Sequence, residues 1–500
     1  MSVLLAVVTL VGCGVQSLRW FRVAQREHYL PSGGVFALRW WRSSPVNLGL
    51  GLVAAAGAVA TLWAPLAVVA VAGVVVVAPV GLSLGGRTAK LAWTSRMRAT
   101  AAVTGAVAVA GVVVALVIGM PLLYGLVLVA FPWLVDLGLF MWNPLQRRSD
   151  QRWVDQAKAG LARSGARVVA ITGSYGKTTT KGYLAHLLAG RTTVMASPAS
   201  FNNRMGLARA VNEHLGTGTD VFIAEMGTYG RGEIRDLCSW IPPEVAVWTA
   251  LGPVHLERMK TLEGIAEAKR EIFERAAVGV ILVDDPRLAR IAVEEAQYRR
   301  MITVSATGGP ADVIGDAETG RVTFEGRLVG QVDPEVIQVG NAACAVGAMV
   351  ALGFDTDGIG ERLASLPTPP HRQVAARSDR GFVVIDDTFN SNPAGASRAL
   401  DLLAAAGAGR RVVVTPGMVE MGRLQREANA EFARKAATVA SDVAVVGRTN
   451  RAALAAGVRE SGQASVHFFD TRDDAVAWVR EQLGPGDAVL YENDLPDHYP

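Results

Sequence analysis

Five apolar stretches, at roughly 2–18, 46–63, 65–82, 100–118 and 121–141, crowd the first 153 residues of a 500-residue chain. Each is about 17–21 residues long, close to what one helix needs to cross a hydrocarbon core. Ala, Gly and Val dominate them, which suits close helix packing in lipid. They predict an α-helical membrane domain over residues 1–153. The first stretch has no basic segment before it and no small-residue cleavage site before Arg19, so it reads as a span and not as a secretory signal. The stretches between 46 and 82 are either two spans or one long hairpin dipping into the bilayer; both leave the same topology.

Charge orients this part. Up to Trp153 there are twelve Lys and Arg against three acids (Glu27, Asp136 and Asp150), a balance of +9 in a chain whose total is +4, so the remainder carries −5. The basic character is therefore a topology signal and not a nucleic-acid footprint. Arg19, Arg22, Arg26, Arg39 and Arg42 fall in the first loop, Arg87, Lys90, Arg96 and Arg98 in the second long loop, and Arg147, Arg148 and Arg152 after the last span. The positive-inside rule makes these segments cytoplasmic, which puts the N-terminus outside and everything after Met141 inside. Trp20, Trp40, Trp41, Trp93, Trp142 and Trp153 cluster at the same edges as an interfacial belt. Asp136 is the one acid inside a span; it is either functional or a side chain that snorkels to water near the end of its helix. Cys13, Cys238 and Cys344 are scattered, which fits a reducing compartment and argues against a disulfide framework or a zinc site.

After Trp153 short apolar strands alternate with amphipathic helices. Strands are expected at 167–172, 220–225, 244–250, 279–283 and 301–304, a hairpin at 321–332 and a helix near 341–352. Near-continuous apolar runs between helices predict a parallel sheet covered on both faces. The Pro-rich LPTPPHR marks a boundary near residue 370. A second α/β unit follows, with strands at 382–387, 411–415, 442–446 and 487–491. The expected domains are therefore 1–153, 154–370 and 371–500.

The chemistry starts at ITGSYGKTTTK, residues 171–181. It fails the usual G-x-x-x-x-G-K-[ST] template, since only Ser174 and Tyr175 separate Gly173 from Gly176. A strand still runs into it and a helix out of it. Glycines let backbone N–H groups approach phosphate oxygens, and the helix N-terminus adds a favourable dipole. Lys177 would reach the β- and γ-phosphates and Thr178 a Mg²⁺. Glu225, at a strand end, is placed to hold a metal at the carboxyl edge of the sheet. His255, in ALGPVHL, is a candidate hard-metal or phosphate-side ligand, and Lys269 lies on a helix.

GxxGKTTT, EMGTYGRGEI, LGPVHLE and AKREIF, in this order, resemble the Mur ligases, which join an amine to a carboxylate using ATP. DDTFNSNP at 386–393, PPHRQ around Arg372 and TPGMVEMG at 415–422 extend the resemblance over about residues 165–491 and point to the type that adds D-alanyl-D-alanine in peptidoglycan synthesis. The resemblance implies a P-loop central domain and a Rossmann-like C-terminal α/β domain. Gly173, Ser174, Tyr175, Gly176, Lys177, Thr178 and Thr179 would form the ATP loop. Two Mg²⁺ ions would be held by Thr178 with Glu225 and by His255, and a carbamylated Lys269 would help position the second. Asn341 would contact adenine, Arg372 the γ-phosphate and Asp387 the ribose, while Asn202, Asn203, Asn390 and Asn392 would lie on the substrate side. Lys177, Lys269, His255 and Arg372 are then the catalytic set. The implied partners are a carboxylate acceptor, either a UDP-linked or a lipid-linked muropeptide, and an amino acid or dipeptide. The implied location is a bacterial-type plasma membrane with cytoplasmic catalytic domains.

Three departures qualify the match. Membrane spans stand where relatives carry the domain that holds the UDP-sugar-peptide. Gln338 and Leu282 replace asparagines near the nucleotide. The tail ENDLPDHYP replaces a KGS-type motif near the incoming amine. Other readings are a polyglutamate-type synthetase extending a surface polymer and a non-catalytic membrane scaffold. The second is disfavoured, because Lys177, Thr178, Glu225, His255, Lys269, Arg372 and Asp387 are all present.

Overall fold

A computed structural model describes the chain except residues 87–89, 199–200, 368–373, 389–391, 407–408 and 497. Two compact units make it up: residues 1–149, 373–417 and 427–500 form one, residues 150–372 and 418–426 the other.

The apolar region folds into helices α1 (Ser2–Arg26), α2 (Gly33–Trp41), α3 (Pro45–Ala60), α4 (Ala67–Val77), α5 (Ser95–Ile118), α6 (Leu122–Val129) and α7 (Phe131–Ser164). Five straight spans are not found among the described residues. Among the described residues only α1 and α5 are individually long and apolar enough to cross a membrane; α2 with α3 and α6 with α7 are pairs bent by 116° and 70°. At 1.5 Å per residue the 11-residue α4 rises only about 16 Å, roughly half a hydrocarbon core. Composition shows the apolar length but not where it breaks. Ser44 starts α3 by accepting from Asn47 N–H (3.1 Å), with Pro45 in the first turn. α1 and α7 also outrun their apolar stretches. Arg19 and Arg22, expected in a loop, lie within α1 and are buried, and Arg19 donates to the carbonyls of Val75 (3.4 Å) and Leu82 (2.8 Å) at the open end of α4.

Asp136 is half-buried and serves a helix start. Its two carboxylate oxygens accept from Gly33 N–H (2.7 Å) and Gly34 N–H (2.9 Å), capping the first turn of α2, where backbone donors have no partner within the helix. The tail packs on the same bundle: Trp40 Nε1 donates to the His498 carbonyl (2.8 Å), and the buried His498 imidazole pairs with the buried Glu27 (2.9 Å).

In the other unit nine strands form one sheet, β1 (Arg167–Thr172), β2 (Val194–Ala196), β3 (Val221–Glu225), β4 (Val245–Trp248), β5 (Val278–Leu282), β6 (Arg300–Ser305), β7 (Val313–Gly315), β8 (Arg321–Phe324) and β9 (Arg327–Gln331). Their order is β2-β3-β1-β4-β5-β6-β7-β8-β9, parallel through β7 and ending in the antiparallel β8–β9 hairpin. Val169 and Ile171 pack in a core with helices Lys177–Leu188 and Val339–Ala351; Val168 and Ala170 pack in the core of the opposite face. Burial on both faces explains why β1 reads as an unbroken apolar run. The C-terminal sheet has β10 (Val374–Arg377), β11 (Val383–Asp387), β12 (Arg411–Thr415), β13 (Asp442–Val446), β14 (Ser465–Phe469) and β15 (Ala488–Glu492), ordered β10-β11-β15-β12-β13-β14, with only β10 antiparallel. The strands that sequence reasoning missed are the three-residue β2 and β7 and the edge strands β10 and β14, which lack a long apolar run.

Candidate active site

The β1–helix turn is shaped by two glycines. A Cβ on Gly173 would stand 2.1 Å from Thr249 Oγ1, and Gly176 combines φ +80° with an approach of 2.3 Å to Asn341 Oδ1. Neither position accepts a side chain, which keeps backbone N–H groups bare at the helix N-terminus. The rest of the loop is pinned from below. Ser174 N–H donates to Ala250 O (2.8 Å), its hydroxyl donates to Gly252 O (3.0 Å), and the Tyr175 ring packs over Gly252. Ser174 and Tyr175, expected to bind nucleotide, therefore have side chains that hold the loop to the segment after β4. Thr179 is buried behind the loop.

Two lysine amino groups meet at one carbonyl. Lys177 Nζ donates to Gly173 O at 2.6 Å and Lys269 Nζ to the same oxygen at 3.1 Å. Lys269 is 3% exposed; burial and then the Lys177 charge push its amine well below the ordinary lysine range. One turn further, Lys181 Nζ pairs with Glu225 Oε2 at 2.9 Å, with side chains 6% and 2% exposed. Thr178 Oγ1 donates to the same oxygen (2.9 Å) and Asn202 Nδ2 to the other (3.3 Å). Burial opposes ionisation of Glu225, but Lys181, Lys177 and the hydrogen bonds from Lys181 and Thr178 outweigh it, so its pKa lies below the usual carboxylate value. Three lysines thus converge here with one carboxylate, an arrangement suited to a polyphosphate.

Sequence reasoning missed Lys181, although its spacing of four from Lys177 puts both on one helix face. His255 has φ 59°, its Nδ1 meets Glu420 Oε2, and the Tyr229 ring stands edge-on at 4.7 Å. Glu420 and Tyr229 were also missed; their partner lies far away in sequence. Asn341 packs on Gly176 and donates to Gln338 Oε1 (2.6 Å), so the residue marked as a departure holds the expected adenine ligand in place.

Two expected substrate residues also cap helices through their Oδ1 atoms. Asn203 Oδ1 accepts from Gly206 N–H (2.9 Å), capping helix Arg204–His214, and Asn392 Oδ1 accepts from Gly395 N–H (2.9 Å), capping Pro393–Ala405. Both sit just before their helices, where Asn is a favoured cap. Asp387 ends β11 in the other unit, buried and in register with Glu492 of β15. Burial, against the Thr415 hydrogen bond, and the neighbouring Asp387 charge push Glu492 up to about 8. Arg372 and Asn390 lie outside the described residues.

Among the described residues no three His, Cys, Asp or Glu side chains converge on a metal position. Thr178 and Glu225 nevertheless fit Mg²⁺, which keeps several waters and is bound by one or two carboxylates together with substrate phosphates. ATP fits the bare glycine turn and its lysines.

Residues 171–345 match the Mur ligase middle domain and residues 371–491 the Mur ligase, glutamate ligase domain. The UDP-N-acetylmuramoyl-tripeptide–D-alanyl-D-alanine ligase of Mycobacterium tuberculosis (strain H37Rv) is 32% identical over 377 residues, 66% of this chain and 71% of that protein. The enzyme of the same name from Bacillus subtilis (strain 168) is 27% identical over 356 residues, 67% of this chain and 75% of its own. Among solved structures, the MurF ligase of Thermotoga maritima in complex with ADP is 27% identical with a TM-score of 0.57, covering 69% of this chain and 80% of that one. MurF from Acinetobacter baumannii has the same fold, with a TM-score of 0.59 at 22% identity over 68% of this chain and 77% of that one. The chain belongs to the Mur ligase family of ATP-dependent, peptide-bond-forming ligases.

Proposed function

We propose that this protein is a membrane-anchored ligase of the D-alanyl-D-alanine-adding type, working on the cytoplasmic face of a bacterial-type plasma membrane. The observation that carries the ligase chemistry is the convergence of Lys177 and Lys269 on Gly173 O beside the Thr178–Glu225–Lys181 cluster. The support for the anchor is the pair α1 and α5 and the bent pairs, each apolar enough to span. The support for the amine is the likeness to the D-alanyl-D-alanine ligases.

An acceptor carboxylate is a poor electrophile, so it attacks the γ-phosphorus of ATP and becomes an acyl phosphate as ADP leaves. The incoming amine then attacks the acyl carbon, phosphate leaves, the nitrogen loses a proton and an amide remains. Lys177 follows charge on the transferring phosphoryl group, as a mobile cation resting on the loop it serves. Thr178, Glu225 and His255 would hold up to two Mg²⁺ ions, whose chemistry would be to neutralise phosphate charge. Asn341 braces the turn. Lys269 suits carbamylation, because its buried amine favours the neutral form that adds CO₂ and releases a proton. The resulting anion would face the Lys177 cation. The likeness to the Mur ligases gives Arg372 a γ-phosphate role and Asp387 a ribose role, and Asn202, on Glu225, is the asparagine best placed for a substrate-side role.

Phosphate release by the full-length protein in detergent tests this reading. UDP-linked and lipid-linked muropeptides are offered separately, each with D-alanyl-D-alanine or single amino acids. Turnover with a UDP-linked tripeptide and the dipeptide supports a tethered peptidoglycan ligase. Turnover only with the lipid-linked acceptor makes the bundle a substrate domain. Turnover only with glutamate on a growing polymer replaces the proposal with the polyglutamate reading.

A further inference from the structure

The segment Met418–Arg426 lies, in sequence, inside the C-terminal ligase domain, yet it is part of the ATP-binding unit. Met418 and Met421 are buried and anchor it. Two links join it to the turn after β4. Glu257 N–H donates to the Glu420 carbonyl (3.1 Å), and the Glu420 carboxylate meets His255 Nδ1. Both residues adopt left-handed backbone, φ 63° at Glu420 and φ 59° at His255. Non-glycine residues rarely take that conformation, and it persists where the surroundings hold it, often at functional sites. Here it turns the two side chains toward each other. Tyr229 closes the other side of the imidazole, its ring edge-on at 4.7 Å and its N–H tied to Glu233 (2.7 Å).

We propose that Glu420 is the positioning residue for His255: its carboxylate, seated on Nδ1, fixes the ring so that Nε2 is the nitrogen turned to a divalent cation. A carboxylate behind a ligating histidine sets the tautomer and the ring orientation and strengthens the donor nitrogen. The proposal rests on the reading of His255 as a metal ligand and adds its consequence. The histidine comes from the ATP-binding unit's own chain segment, but its orienting partner arrives 165 residues later on an arm of the C-terminal ligase domain. The second metal position is therefore competent only when that arm is seated.

The first test needs no variant of Glu420. Full-length protein labelled with nitrogen-15 histidine is observed by NMR in detergent at pH 8, with His255 assigned by its loss in His255→Gln. The expected signature is a proton on Nδ1, the nitrogen that faces Glu420; an Nδ1 that carries none overturns the proposal. The second test titrates Mn²⁺ by EPR in the presence of ADP. Glu420→Gln is expected to mix the tautomers and to weaken the second Mn²⁺ by about 10- to 100-fold, with partial rescue in Glu420→Asp. If His255→Gln binds Mn²⁺ like the parent, the metal reading of His255 fails. If His255→Gln loses a Mn²⁺ while Glu420→Gln keeps both its affinity and its tautomer, the metal reading stands and the positioning role is refuted. Should Glu420→Gln fail to fold, the parent's tautomer decides.

Discussion

Replacing Glu225 by Ala is expected to destabilise the ATP-binding unit severely, apart from any effect on chemistry. The carboxylate and the Lys181 ammonium are 2.9 Å apart and both nearly sealed from water, with 2% and 6% of their side chains exposed. Thr178 and Asn202 donate to the same carboxylate. Removing it leaves a desolvated cation without its counter-charge and strands two donors. Breaking a buried pair in this way costs about 3–5 kcal/mol. For a unit of roughly this size each kcal/mol lowers the melting temperature by about 2–4 °C, so a drop of about 6–20 °C is expected at pH 7. The pH dependence has a definite sign. Glu225 is held below its ordinary pKa, so its stabilisation is present above the unfolded value of about 4.3 and is lost as pH falls through the folded value. The difference between parent and variant should therefore close in acid. The double variant Glu225→Gln/Lys181→Met removes both charges at similar volume and should regain most of the lost stability, because replacing a whole buried pair is often neutral. It should not regain phosphate release, since the Mg²⁺ ligand is gone. Calorimetry and phosphate release in the same detergent decide. An unchanged melt in Glu225→Ala would refute the buried-pair argument, and parental turnover in the double variant would refute the metal role of Glu225.

Lys177→Met should lower phosphate release by about 10²–10³-fold with little change in melting, because its ammonium rests on loop carbonyls at a partly exposed position. Glu492, raised to about 8, should weaken the fold as pH climbs from about 4.3 to that value, where the unfolded chain ionises and the native one does not. Glu492→Gln should therefore be the more stable form at pH 8 by up to a few kcal/mol and not at pH 4, read from paired denaturant titrations. Asp136→Ala orphans two backbone donors at about 1–3 kcal/mol each, so the bundle should melt earlier in detergent while turnover per folded molecule is kept. A loss of turnover without a loss of stability would instead mark Asp136 as functional.

The ATP loop was legible because its information is local: a buried strand, two glycines and a helix start within a dozen residues. Glu225 was legible from its place at a strand end, while Lys269 was singled out only through the AKREIF resemblance. The caps made by Asn203 and Asn392 went unread for a related reason: an Asn before a helix looks the same in sequence whether or not its oxygen closes the first turn, and only the folded chain shows the bond. The bundle was misread in its breaks, because hydropathy sums over a window and does not register a 70° bend at one residue.

The amino-acid sequence by itself determined the element types, the parallel sheet behind the nucleotide loop, the family and the concentration of apolar chain before Trp153. Each of these is written in a short period or a short motif. Only the tertiary structure decided which charges meet: Lys181 with Glu225, His255 with Glu420, Asp136 with the start of α2, and Glu27 with His498 across 471 positions. The chain has 45 acidic residues, and nothing local distinguishes the one that will orient a histidine from those that stay in water. That choice is made when distant segments are packed together, because a charge leaves water only where a partner compensates for its lost hydration.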